Sequence, residues 1–222
     1  MHSRSIRKGV AIVARSNISS RIGNNQAGSM GKNEVSAIRE LWRNVKRFAG
    51  EAVWEKVMEG NEGITAHSSK DRIAIWVKGA MERLDEFADE DTRTRIMVNC
   101  GYNCAVVHKF AIKAKASRMK FKSLDEYLKA EERKPARGTR LFREGKVVYQ
   151  FYTPQLFSRP MRCYCSLLRA LPVDETVSPT YCQCARGFVE KTWEAIIGKP
   201  VKVDLLQSAV SGAKECKFAI HL

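Results

Sequence analysis

The repeat of apolar residues changes period at Pro135, and that change limits the folds open to this chain. Before it, apolar residues recur every three or four positions, the spacing that gives a helix one apolar face. In "NEVSAIRELWRNVKRFAG" Val35, Ile38, Leu41, Trp42, Val45 and Phe48 share a face, and Gly50 stops the run. "EAVWEKVMEG" predicts a shorter helix ending at Gly60. "SSKDRIAIWVKGAMERLDEFADE" opens at a serine cap and carries a stripe of Ile73, Trp76, Val77, Ala80, Leu84 and Phe87. "DEDTRTRIMVNCGYNCAVVHKFAIKAKA" predicts one long helix with an aspartate near its start, and "SLDEYLKAEER" a short one capped by Ser123. Beyond Pro135, "REGKVVYQFY" has the β-branched and aromatic content of a strand led by a Gly turn. "MRCYCSLL" is a second strand candidate, "CARGFVEKTWEAIIG" a helix closed by Gly198, "KPVKVDLLQSAV" a third strand, "SGAKE" a turn and "CKFAIHL" a closing strand. The expected class is α+β: a helical N-terminal half packed on an antiparallel sheet, with a C-terminal β-α-β-β unit.

Charge divides the chain further. Of the formal +15, six Lys/Arg and no acid fall in residues 1–33, which read as a basic, weakly structured extension rather than a secretory signal. Residues 34–134 are the helical region and 135–222 the sheet-containing region, expected to form one domain together. From Lys109 to Lys146 thirteen Lys/Arg stand against five acids, without a recognisable nucleic-acid motif, so a solvated face is expected and nucleic acid is not. No apolar run approaches the roughly 20 residues that span a bilayer, so no membrane partner and a cytoplasmic setting are expected.

Seven cysteines, an odd number without an export signal, fit a reducing compartment in which thiols hold metal or sit in the core. Two C-x-C pairs and a late single cysteine make the first group: Cys163 and Cys165, Cys182 and Cys184, and Cys216. On a strand Cys163 and Cys165 would face the same way, and Cys182 and Cys184 would lie in the turn feeding a helix, where its dipole favours thiolates. Zinc takes about four N/S ligands, which five thiols on three elements can supply. An iron–sulfur cluster, and inert or redox cysteines, stay open beside it. The second group is "NCGYNCAVVHKF": Cys100, Cys104 and His108 at i, i+4 and i+8, either core residues or additional ligands. Among enzyme templates GxSxG, HExxH, Walker A and GxGxxG are missing, which leaves Cys104 with His108 as the candidate catalytic pair and enzyme status undecided.

The stretch "YCQCARGFVEKTWEAIIGKPVKVDLLQSAVSGAKECKFAIH" resembles the end of the 4-vinyl-reductase-type small-molecule-binding domain of prokaryotic sensors. It is similar over the same region to the L-2-amino-thiazoline-4-carboxylic acid hydrolase-like family. The matching residues are Cys182, Gly187-Phe188, Gly198-Lys199-Pro200, and Gly212 followed by Cys216. The resemblance implies a zinc site held by Cys, Glu, Cys and Cys. Here Cys182 and Cys216 carry over, while Leu205 and Ser208 stand at the Glu and middle Cys positions, with Asp204 adjacent. It also implies a small-molecule ligand in an apolar pocket and a homodimer. The expected function is a small-molecule-binding protein with a cysteine-ligated, zinc-class site. The alternatives are a metal- or thiol-dependent hydrolase of a small cyclic amidine or thiazoline, and an iron–sulfur or polyanion-binding protein.

Overall fold

Helix α1, Ser36–Val57, opens the computed structural model, which describes residues 36–154, 161–172 and 174–222. The expected extension over 1–33 and the Val35 position lie outside the described residues. The two expected helices follow one another within α1, parted by a kink where Gly50 takes the non-helical φ 84, ψ 177. Across that kink Trp42 and Trp54 meet edge to face at 5.6 Å. Ile38, Leu41 and Val45 are buried as their spacing predicts.

Helix α2, Lys70–Phe87, buries Ile73, Val77, Ala80 and Leu84. Two members of the expected stripe depart from it: Phe87 is exposed, and Trp76 donates its ring N–H to the Glu59 carbonyl at 3.1 Å. Ser69 occupies the N-cap position but makes no side-chain cap; its hydroxyl bonds the Asp71 carboxylate, holding that carboxyl below its ordinary range. Helix α3, Glu90–Val107, is capped by Asp89, whose carboxylate accepts from the Thr92 amide at 2.9 Å.

The long helix expected through Ala116 is two. Lys109 takes a left-handed conformation, φ 61, ψ 20, and the chain turns there into α4, Phe110–Arg118. His108 therefore caps the end of α3 instead of extending a stripe with Cys100 and Cys104. Helix α5, Leu124–Arg133, starts at the expected cap: Ser123 accepts from the Glu126 amide at 3.1 Å, and Glu126 returns an acceptor to the Lys122 amide at 3.0 Å.

Strands β1, Thr139–Glu144, and β2, Val147–Tyr152, form a hairpin around Gly145 at φ 57. A two-residue turn of this kind needs positive φ at its first position, and glycine supplies it. Helix α6, Pro179–Ile197, follows; then come β3, Lys202–Gln207, a 3-10 turn at Ala209–Ser211, and β4, Cys216–His221. All pairings are antiparallel, in the order β1-β2-β4-β3. The molecule is thus an α+β protein with an antiparallel sheet, and β2-α6-β3-β4 is its β-α-β-β unit. The strand expected over 161–168 is absent: the segment is a series of turns whose Leu167 and Leu168 are buried, as is Leu171 beyond it.

Helix α6 sits between two neighbours and meets them differently. Toward the sheet it offers bulk: Val189, Trp193 and Ile196 pack with Val148, Val203, Phe218 and Ile220. Trp193 donates to Gln150 Oε1 at 2.6 Å, so its buried polar atom is satisfied. Toward α3 it offers Glu190, which accepts from the Tyr102 hydroxyl, and at its closest point no side chain at all. A Cβ on Gly187 would lie 2.2 Å from the Val98 carbonyl oxygen, and one on Gly101 would lie 2.0 Å from the Cys184 carbonyl oxygen. The two helices touch main chain to main chain, and this contact fixes where the cysteines of both come to rest.

Candidate functional site

All the cysteines are free thiols, and they form a continuous trail through the molecule. It starts on α3, where Cys100 Sγ accepts from Asn44 Nδ2 of α1 at 3.4 Å. Cys184, whose carbonyl presses on Gly101, lies within electrostatic reach of Cys100, Cys104, Cys165 and Cys163. Cys163 in turn is within reach of Cys165, Cys182 and Cys216. The five thiols of the first group, and the two on α3, thus belong to one region.

Different backbone features position each sulfur. Cys163 and Cys165 sit in the turn segment. It is tethered by the Tyr164 hydroxyl donating to the Gly138 carbonyl at 2.7 Å and by the Tyr152–Tyr164 ring contact at 5.5 Å. They do not share a strand face: the Cys165 amide folds back onto Cys163 Sγ at 3.4 Å. Cys182 and Cys184 lie within α6, which starts earlier than its sequence suggests, with Ser178 accepting from the Thr180 amide and Pro179 at the first helical position. Cys216 opens β4, facing α6 from the same side of the strand as Phe218 and Ile220.

The sulfurs already have partners. Cys182 Sγ and the Ser208 hydroxyl are 2.8 Å apart. The Ala209 amide donates to Cys216 Sγ at 3.4 Å, and the Tyr181 hydroxyl donates to Cys165 Sγ at 3.0 Å. Cys182, Ser208 and Cys216 are three of the four positions that the family resemblance assigns to zinc, and they do come together. The fourth does not help, because β3 alternates: Leu205 packs toward the core, while Asp204 faces the other way and pairs with His221 Nε2 at 2.7 Å and Lys202 at 3.5 Å. Asp204 cannot stand in for the missing glutamate. Two thiols and a hydroxyl do not make the inherited set.

Electrostatics run against reactive thiolates. Burial pushes Cys100 and Cys182 up to about 12 from the ordinary 9.0. The same cause raises Cys163 and Cys184 well above it, and raises Cys104 and Cys216. Neighbouring sulfurs add to the rise at Cys163 and Cys184, since a second negative charge nearby disfavours the first. The Ser208 hydrogen bond lowers Cys182 but does not offset its burial. The expected helix-dipole stabilisation of thiolates at Cys182 and Cys184 is therefore overridden by desolvation.

Cys104 is raised by burial and then by Cys165, the reverse of what a nucleophile needs. His108 is exposed beyond the end of α3, with its ring against Phe110 at 6.4 Å. The remaining residues of the site were not expected from sequence. Tyr181 and Asn44 carry no motif, and only Ser208 had a signal, as the residue in a cysteine's place. Among the described residues, no group of three or more His, Cys, Asp or Glu side chains is arranged to hold a metal ion.

Known proteins add little beyond kinship. A solved structure of a mutant H-NOX domain from Shewanella oneidensis, in the Fe(II)CO ligation state, is 13% identical, with a TM-score of 0.45 over 85% of this chain and 98% of that one. At that score the likeness carries no argument. The chain matches none of the curated proteins. No helix among the described residues is long and apolar enough to cross a membrane. Residues 32–222 match the family of unknown function DUF6144, and the chain belongs to that family.

Proposed function

We propose that the protein binds a soft divalent metal ion, zinc first, through thiols drawn from Cys163, Cys165, Cys182, Cys184 and Cys216. One observation supports it: Cys163 of the turn segment lies within electrostatic reach of Cys165, of Cys182 on the helix and of Cys216 on the strand, and Cys184 within reach of Cys163 and Cys165. The donor chemistry fits, since several sulfurs in apolar surroundings suit a thiophilic ion. The cluster's geometry is not yet a closed coordination sphere, so loading requires Cys182 to leave Ser208 and Cys165 to leave Tyr181. A bound ion would supply the positive charge that lets raised thiols ionise, and would tie the turn segment and α6 to β4. The small-molecule ligand, the homodimer and the prokaryotic setting rest on the family resemblance. No step of catalysis is assigned: the raised thiols disfavour the thiol-dependent hydrolase reading.

Element-resolved mass spectrometry of untagged protein tests the proposal. The expected result is about one zinc per chain, lost in Cys182→Ser and in Cys216→Ser. A brown protein carrying iron and sulfide would replace zinc by a cluster. Metal-free protein with seven freely titrating thiols, unchanged by added zinc, would overturn the reading.

A further inference from the structure

The strongest unassigned feature is the outer side of α4. Five of the eight large apolar residues exposed among the described ones fall between Val106 and Met119: Val106 at 50%, Val107 at 70%, Phe110 at 46%, Ile112 at 66% and Met119 at 73%. Exposed apolar residues scattered singly need no explanation, but a run of them does. The buried side of α4 is made of small residues: Ala111 is buried, and Ala114 packs against the core. On the opposite side Ile112, Ala116 and Met119 follow one another at i, i+4 and i+7, all exposed. At 3.6 residues per turn, Lys115 flanks this stripe on one side, and Lys113 and Lys120 flank it on the other. Among the described residues no carboxylate forms an ion pair with the ammonium group of Lys109, Lys113, Lys115, Lys120 or Lys122. The sequence has no Asp or Glu at all from Thr92 to Leu124.

We infer that this face lies on an anionic lipid surface, with the stripe of Ile112, Ala116 and Met119 entering the headgroup boundary and the flanking lysines contacting lipid phosphates. Charge complementarity selects the occupant. The patch is cationic throughout, so a second copy of the same face would be repelled. An apolar stripe flanked by Lys115 on one side and by Lys113 and Lys120 on the other suits neither nucleic acid, whose backbone is polar, nor plain water. It does suit a helix lying in an interface, where lysine stems cover apolar surface and the ammonium groups reach the headgroups. The expectation of no membrane was drawn from the lack of a spanning segment, which is a separate physical matter. The inference is also independent of the metal reading, because none of these residues belongs to the thiol cluster.

The test is co-sedimentation of the full chain with vesicles of equal parts phosphatidylglycerol and phosphatidylcholine, and with phosphatidylcholine alone. Binding to the anionic vesicles only is expected, weakening as salt rises. Ile112→Glu with Met119→Glu should lower partitioning about ten-fold or more, because charge then replaces the inserted stripe. Lys113→Gln and Lys120→Gln should each lower it about five-fold. All four positions are exposed, so the thermal midpoint should not move. The basic extension is intact in every variant, so binding that survives the Ile112 and Met119 changes would overturn the inference by locating attachment elsewhere. It would equally be overturned by inert vesicles, by equal binding to neutral ones, or by a dimer that dissociates on Ile112→Glu. Oligonucleotide binding without vesicle binding would do the same.

Discussion

The thiol region around the start of α6 and the outer side of α4 place their side chains in opposite surroundings. In the first, Cys100 and Cys182 are only 8% and 3% exposed, and their ionisation is suppressed. In the second, isoleucine and methionine, which normally fill cores, stand in water beside lysines. The cause lies in which helix faces receive a neighbour. Helix α6 lies between α3 and the sheet, and the faces it turns to them, Cys182 and Trp193 included, are desolvated. Helix α4 is held by one narrow side, and small residues suffice there. Burial is a property of the position, and the chemistry of each region follows from it.

The largest effect should come from alkali, acting through the buried thiols. A thiol whose folded pKa lies above its unfolded value contributes stability that is fully present below the unfolded value, near 9, and lost as pH rises toward the folded one. For Cys100 and Cys182 that window runs from 9.0 to about 12. Each such thiol should cost about 1.4 kcal/mol of stability per pH unit within it. Urea unfolding of chelator-treated protein between those limits should show a steep decline that is shallower in Cys182→Ala. A flat profile would mean that the thiols are not desolvated together. Tyr181, also pushed well above its ordinary value by burial, adds to the decline, so the variant rather than the total slope decides the matter.

A comparable loss is expected from Gly187→Ala, which drives a methyl group into the main chain of α3. Overpacking against backbone costs about 3 kcal/mol or more, and a calorimetric midpoint should fall by roughly 6–12 °C for a domain of this size. An unchanged midpoint would show that the helices can separate at no cost. Ser208→Ala comes next. It removes the Cys182 partner and should cost about 1 kcal/mol. If the thiols load with metal as proposed, this penalty should disappear in the loaded protein, since Cys182 no longer needs the hydroxyl. The smallest effect sharpens the contrast: Ile112→Ser, on the exposed side, should change stability by less than about 0.5 kcal/mol. A larger loss would place Ile112 against a neighbour.

Much of the frame was legible because it depends on local chemistry. The Ser123 cap, the buried stripe of α2, the Gly198 stop and strands β3 and β4 all follow from period and punctuation. The left-handed Lys109 was not legible, since neither Gly nor Pro marks the break and only tertiary packing selects it. Strand β1 hid behind its charges, as "TRLFRE" is a half-exposed edge whose pairing becomes visible only beside β2. Residues 161–168 misled in the other direction. They have strand composition, but their leucines reach the core from turns. For the site, sequence could nominate the sulfurs and even the Ser208 substitution. It could not weigh a helix dipole against desolvation, because that balance depends on what lies above the helix.

The close approach of α3 and α6 at Gly101 and Gly187 works as a stencil for the thiol region. Where two backbones abut, any side chain added at the contact forces them apart, whereas sulfurs hung beyond it can be swapped one at a time. Other DUF6144 chains should therefore be free to vary their cysteines, and with them whatever ion or molecule they favour, while keeping glycine at both of these places.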